Sequence, residues 1–214
     1  MRPTHRIVLL LAAALLISCM LCGCSTSSLP DESVAAASPA ATITFSPQSS
    51  ASPVPSAAPA TAAPFSASSD GIVDGVIGDA FGARGTQLSG FVPTRSLPLT
   101  VSDPPAGTAC LAVSMTDPDG GDWVHWLAVD IPVGDIPENA SVDLAETMRQ
   151  GLNDFGSIGY GGPTPPSGTH TYVFTVYALS APAGLEDGFG LDAFEQAVGE
   201  LSLGSVVFTG AYSS

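Results

Sequence analysis

At 214 residues, with a net charge of −15 and no lysine, the chain has room for one or two domains, and its charge excludes a nucleic-acid binder or a protein held electrostatically on anionic lipid. Five arginines face 20 acidic residues, and only Arg84, Arg95 and Arg149 lie beyond the N-terminal segment. Three of the four cysteines sit at positions 19, 22 and 24, so Cys110 has no partner for an internal disulfide and reads as a small buried hydrophobe.

Arg2 and Arg6 precede an unbroken apolar run from Ile7 to Ile17, the charged-then-apolar layout of a secretory signal. The run is short for a spanning helix, which needs about 20 apolar residues. Leu21-Cys22-Gly23-Cys24 follows and is similar to the lipobox of bacterial lipoproteins. Residues 1–23 are therefore expected to be a cleaved signal peptide, and Cys24 the lipidated, palmitate-bearing first residue of the mature chain. The implied location is the extracytoplasmic face of the cell membrane, and an uncleaved signal anchor is the alternative. From Ser25 to Ser69 nearly every residue is Ser, Ala, Pro or Thr, with Asp31 and Glu32 the only charges. Such a segment buries too little apolar surface to offset its ordering entropy, so residues 24–70 read as a lipidated cysteine plus a disordered, semi-stiff tether.

Beyond Asp70 short β-type runs alternate with Gly, Pro and Asp clusters, the pattern of one mainly β domain over residues 71–214. Strands are predicted at Leu97–Val101, Ala109–Thr116, Trp123–Ile131, Thr169–Ser180 and Ser205–Tyr212. Trp123–Val129 and Val173–Leu179 are apolar at almost every position and are predicted to be central, with both faces covered. Leu191, Phe194, Val198 and Leu201 recur at helical spacing, with Asp192 and Glu195 placed as a capping box. A second, weaker helix is predicted from Val142 to Gln150, stopped by Gly151.

Once the signal is removed only two histidines remain, His125 and His170, each inside an aromatic-rich strand. The run from Cys110 to Val129 reads as a hairpin turning at Asp117–Asp122, which carries Asp117 and Asp119 to the mouth of the His125 strand. Strand alternation puts Trp123, His125 and Leu127 on one face, and His170, Tyr172 and Phe174 on one face of the later strand. If those strands are neighbours, two imidazoles, a phenol and a carboxylate share a pocket. The alternative for each histidine is a core imidazole bonded to a carboxylate, and D-P-D-G is by itself an ordinary turn. The Gly/Pro-rich loop 156–168 offers backbone amides that could cradle an oxyanion.

Four motifs stand in order: D-P-D at 117–119, W-V-H-W at 123–126, G-Y-G-G-P-T-P-P-S-G at 159–168 and H-T-Y at 170–172. With V-F-T-V-Y-A-L after the last, they resemble the phosphatidylethanolamine-binding protein family in its bacterial Raf-kinase-inhibitor-like branch. The resemblance spans residues 71–214 and includes P-T-R-S-L-P-L at 93–99, P-A-G-T at 105–108 and G-A-Y at 210–212. It implies a β-sandwich of antiparallel and mixed sheets with one or two short helices, the C-terminal helix followed by a last strand. It also implies a small pocket for phosphate, phosphoethanolamine or a similar anion, lined by Asp117, Asp119, His125 and His170, with Tyr172 on the same strand and Gly161, Gly162 and Pro163 at the rim. Asp117 is implied to orient an imidazole or to receive the ethanolamine cation. The chain departs from the family in having Gly120-Gly121 for Ala-Pro, Thr171 for Arg, and Thr164 where bacterial relatives often carry Cys.

No G-x-S-x-G elbow or H-E-x-x-H motif is present, so no hydrolase machinery and no cofactor are signalled. The expected function is a lipid-anchored binding or regulatory module for a phosphorylated or lipid head group. The alternatives are an inhibitor or regulator of an envelope protease or other protein partner, an enzyme with a histidine general base, and a metal site of two histidines with Asp117.

Overall fold

The computed structural model describes residues 63–214. The expected signal peptide, Cys24 and most of the expected tether lie outside the described residues. In chain order the elements are β1 (Ser66–Ser68), β2 (Ile72–Val73), β3 (Val76–Ile77), β4 (Leu88–Ser89), β5 (Val92–Pro93), β6 (Thr100–Ser102), β7 (Cys110–Asp117), β8 (Trp123–Ile131), α1 (Ala140–Asp143), β9 (Arg149–Gln150), β10 (Thr169–Leu179), α2 (Leu191–Leu201) and β11 (Ser202–Ser213). The domain thus begins before residue 71. Ser66–Ser68, expected in the tether, pairs antiparallel with β6, and Phe65 and Ala67 pack on the core.

A seven-stranded mixed sheet in the order β2-β3-β11-β10-β7-β8-β9 forms the body, with β11 and β3 its parallel pair. Two small ribbons, β1-β6 and β4-β5, accompany it. In β7 the side chains alternate between two apolar clusters: Leu111, Val113 and Met115 join Phe174 and Trp126, while Cys110 and Ala112 join Phe194 and Val198 of α2. Both faces of the central strands are therefore covered, which explains why β7 and β8 read as continuous apolar runs.

The helix α2 forms where its spacing places it and buries Phe194, Ala197 and Val198. It begins two residues earlier than a capping box on Asp192 and Glu195 requires: Gly190 is its N-cap, without a side-chain cap. At its other end the chain passes from Leu201 straight into β11. The helix expected from Val142 to Gln150 is replaced by α1, a 3-10 turn at Ala145–Thr147 and the edge strand β9. Tertiary demand overrides the local pattern there. Gln150 is drawn into the core, where its side-chain carbonyl accepts from Trp126 Nε1 at 3.0 Å and from Ser141 Oγ at 2.7 Å. Among the described residues no helix is long and apolar enough to cross a membrane.

Candidate functional site

Asp117 ends β7 and caps the 3-10 turn Pro118–Gly120, its Oδ1 accepting from the Gly120 amide at 2.9 Å. Gly121 at φ 77° and Asp122 at φ 60° then reverse the chain into β8. At 4% exposure the Asp117 carboxylate needs further partners. Its Oδ2 accepts from His170 Nδ1 at 2.7 Å, fixing that ring. Asp119, one step along the turn, accepts through Oδ2 from the Thr171 amide at 2.8 Å and ties the turn to β10.

His125 sits on a β-bulge. Thr116 pairs with Val124 and Met115 with Trp126, so β8 carries one extra residue at this point. The bulge breaks the alternation expected for Trp123, His125 and Leu127. Leu127 packs with Val124 in the α2 cluster, whereas Trp126 enters the other core and His125 lines a cavity at its end. The condition that the two histidine strands be neighbours is not met, because β7 runs between β8 and β10. The two histidines lie on the strands that flank β7, and Asp117 at its tip joins the group.

The cavity, about 530 Å³, is lined by Asp117, Asp119, Gly120, Trp123, His125, Phe155, Thr164, Pro166, His170 and Tyr172. Aromatic rings pack edge-to-face around His125: Tyr172 at 5.0 Å and Phe155 at 5.4 Å between centroids, with Trp123 against Phe155 at 5.6 Å. Phe155 is held by Asn153, whose side-chain oxygen accepts from the Phe155 and Ser157 amides and whose amide donates to the Gly159 carbonyl. An asparagine two residues before an aromatic is a readable turn signal, but nothing in the sequence says that this turn closes a cavity wall. Phe155, Thr164, Pro166 and Gly120 are lining residues that sequence reasoning did not assign to the site, and Trp123, expected only to share a face with His125, lines it too.

Gly161, Gly162 and Pro163 do not line the cavity, contrary to their expected place at its rim. The Gly161 amide donates to the His125 carbonyl and the Gly162 amide to the Pro93 carbonyl, both at 2.8 Å, while the Pro163 carbonyl accepts from the Ala83 amide. These amides are spent within the fold. The glycines serve close approach instead: a Cβ on Gly161 would stand 2.5 Å from the Phe155 ring. The two imidazoles and Asp117 do not form a three-ligand metal cluster among the described residues, since their strands are two steps apart and His170 Nδ1 is bonded to the carboxylate.

His125 Nδ1 is 2.6 Å from the Gly161 carbonyl oxygen, which can only accept, so Nδ1 carries the proton. Burial holds this imidazole below its ordinary value of 6.5, with the Gly161 carbonyl and the carboxylates of Asp117 and Asp154 offsetting part of the effect. Burial, with Asp117 beside it, pushes the Tyr172 phenol well up, so the hydroxyl keeps its proton. That hydroxyl is buried without a hydrogen-bond partner, an uncommon state for a buried polar atom. One consequence concerns acid. Because the folded chain binds less proton at His125 than the unfolded chain, this ring's contribution to stability is complete above pH 6.5 and shrinks as pH falls below that toward the folded value. The urea midpoint is expected to drop between about pH 7 and about pH 5.5, less so in His125→Gln; a wild-type slope no steeper than the variant's contradicts it.

Comparison with known proteins places the chain in a family. The profile described as Phosphatidylethanolamine-binding protein matches residues 68–213. The uncharacterized protein YxkA of Bacillus subtilis is 38% identical over 126 residues, 50% of this chain and 75% of that one. A protein of Methanothermobacter thermautotrophicus is 35% identical over 137 residues, 58% of this chain and 91% of its own length. The crystal structure of Escherichia coli YbcL, presented as a new member of the mammalian PEBP family, aligns with a TM-score of 0.62 at 29% identity, covering 71% of this chain and 99% of that one.

Proposed function

The chain belongs to the phosphatidylethanolamine-binding protein family, and from that premise we propose that it is an exported, lipid-anchored module whose cavity binds a small phosphorylated head group of the phosphoethanolamine type. The observation that carries this reading is the convergence of two imidazoles, two carboxylates and an unpartnered phenol on one cavity walled by aromatic rings. A volume of about 530 Å³ lies within the range of small-molecule sites, about 300–1,000 Å³, and exceeds what phosphate alone fills. An amine at the far end of such a head group meets the carboxylates of Asp117 and Asp119, with the Trp123 and Phe155 rings beside it. Export and anchoring rest on the apolar leader and on Cys24 in its lipobox-like setting.

Thermal unfolding of the full chain with phosphate, phosphoethanolamine or phosphoglycerol tests the reading. A ligand at 100 times its dissociation constant adds about 2.7 kcal/mol, and His170→Ala is expected to remove the shift. Membrane fractions of cells carrying Cys24→Ser test the anchor, the variant being expected in the soluble exported fraction. No stabilisation by any of the three compounds overturns the head-group reading and moves the function toward a protein partner; retention of Cys24→Ser in the membrane overturns the anchor.

A further inference from the structure

Of the large apolar side chains among the described residues, Phe91 is the most exposed, at 76%. It stands at the tip of the β4-β5 hairpin, where Leu88 pairs with Pro93 and Ser89 with Val92, leaving Gly90-Phe91 as a two-residue turn. Gly90, at φ 63°, meets the conformational demand of such a turn. The second position takes almost any residue, so the turn does not call for a phenyl ring held in water. Leu88, Ser89 and Gly90 are exposed as well. The base of the hairpin is fixed: Val92 and Pro93 are buried, the Thr94 amide donates to the Gln87 carbonyl, and the Gly162 amide donates to the Pro93 carbonyl. The ring is thus presented on a preformed support.

The charge around the hairpin is also out of pattern for so acidic a chain. Residues 80–102 contain no acidic residue and two of the domain's three arginines, Arg84 and Arg95. Each arginine pairs at 2.7 Å with an acid outside that segment, Arg84 with Asp79 and Arg95 with Glu138. The tip is therefore neutral, and an anionic surface does not repel it. The outer faces of β10 and β11 are free of acids too, but they expose mainly hydroxyl side chains, at Thr171, Ser205 and Thr209, on a sheet without a protruding tip.

The 38 residues from Ser25 to Ala62 separate Cys24 from the described domain. A flexible chain of that length spans about 30–40 Å, close to the breadth of about 40 Å of a domain of this size. A domain held in this way can turn any side to the bilayer, so its surface decides which side rests there. One phenyl ring grips a bilayer poorly from free solution, whereas an anchor makes the same contact intramolecular.

We infer that the β4-β5 hairpin is a membrane wedge, seating Phe91 and Leu88 at the boundary between head groups and acyl chains of the bilayer that holds the lipid anchor. This rests on the anchoring part of the proposed function and is independent of what the cavity binds.

Phe91→Trp in the full chain, purified with its lipid and reconstituted in phosphatidylcholine–phosphatidylglycerol vesicles with or without brominated acyl chains, tests the wedge. Val207→Trp, at an exposed position on the outer face of β11, is the control. Burying one side chain of this size is worth about 10- to 100-fold in the ratio of docked to free domain. The emission added by Phe91→Trp is therefore expected to be quenched by bromine in most molecules, and that added by Val207→Trp to be unchanged. Protein that floats with the vesicles but shows no more quenching in Phe91→Trp than in Val207→Trp overturns the wedge, leaves the anchor standing and turns the hairpin toward a protein partner. Protein that does not float with the vesicles overturns the anchor and the wedge together.

Discussion

Asp117→Ala is expected to lower stability by about 2–4 kcal/mol and to weaken phosphoethanolamine binding about 10- to 100-fold. The carboxylate is buried and holds two groups at once, the Gly120 amide that closes the turn and the His170 ring on the next strand. Alanine takes the acceptor from both at once, the Gly120 amide in its exposed turn and the half-buried His170 ring, and water replaces only part of what the carboxylate supplied. Asp117→Asn separates the roles. Its oxygen can keep the Gly120 amide, while its NH₂ faces His170 Nδ1 and makes that nitrogen an acceptor, which moves the ring proton to Nε2. The asparagine variant is therefore expected to stay within about 1 kcal/mol of wild type in urea unfolding. Nitrogen NMR of the His170 ring reads the tautomer directly. An alanine variant as stable as wild type would remove Asp117 from the structural role assigned to it.

Gly162→Ala carries the second large effect. A Cβ at this position runs into the Phe81 carbonyl oxygen and stands 2.9 Å from Pro93 Cβ. One obstacle is backbone and the other a proline ring, so no flexible side chain can swing aside, and the Gly162 amide is pinned to the Pro93 carbonyl. A loss of about 3 kcal/mol is expected from such overpacking. Gly190→Ala is the control. Nothing lies within 4 Å of its added methyl, and its φ of −91° suits any residue, so its urea midpoint is expected to stay near wild type. Equal losses in the two variants would show that close approach is not what Gly162 provides.

The long strands were legible because burial on both faces leaves an unmistakable apolar run in β7 and β8, whereas β10 buries one face fully and the other, with Val173, Thr175 and Tyr177, only in part. The two-residue strands β2 to β5 carry no such signal, since a pair of residues has no period to read. The site was legible in its charged members: Asp117, Asp119, His125, His170 and Tyr172 all line the cavity. Its aromatic and loop wall was not. Phe155 and Thr164 reach it only through loop geometry fixed at a distance by Asn153 and the Gly161–Pro163 contacts. The bulge at His125 is equally silent in sequence, because an extra residue in one strand appears only against its partner's register. The loop glycines misled for a related reason: glycine permits either an exposed amide or a tight backbone contact, and composition does not distinguish them.

The bond between His170 and Asp117 joins positions 53 apart in the chain, across the β10–β7 pairing. On the proposed head-group reading, a nascent chain that has closed only the local β7–β8 hairpin owns one half of the receptor and has no grip on a guest. Recognition therefore begins when the costly long-range loop has been closed, late in a reaction of high contact order. A guest that recognises only the finished article acts as a brake on unfolding and leaves the rate of folding unchanged.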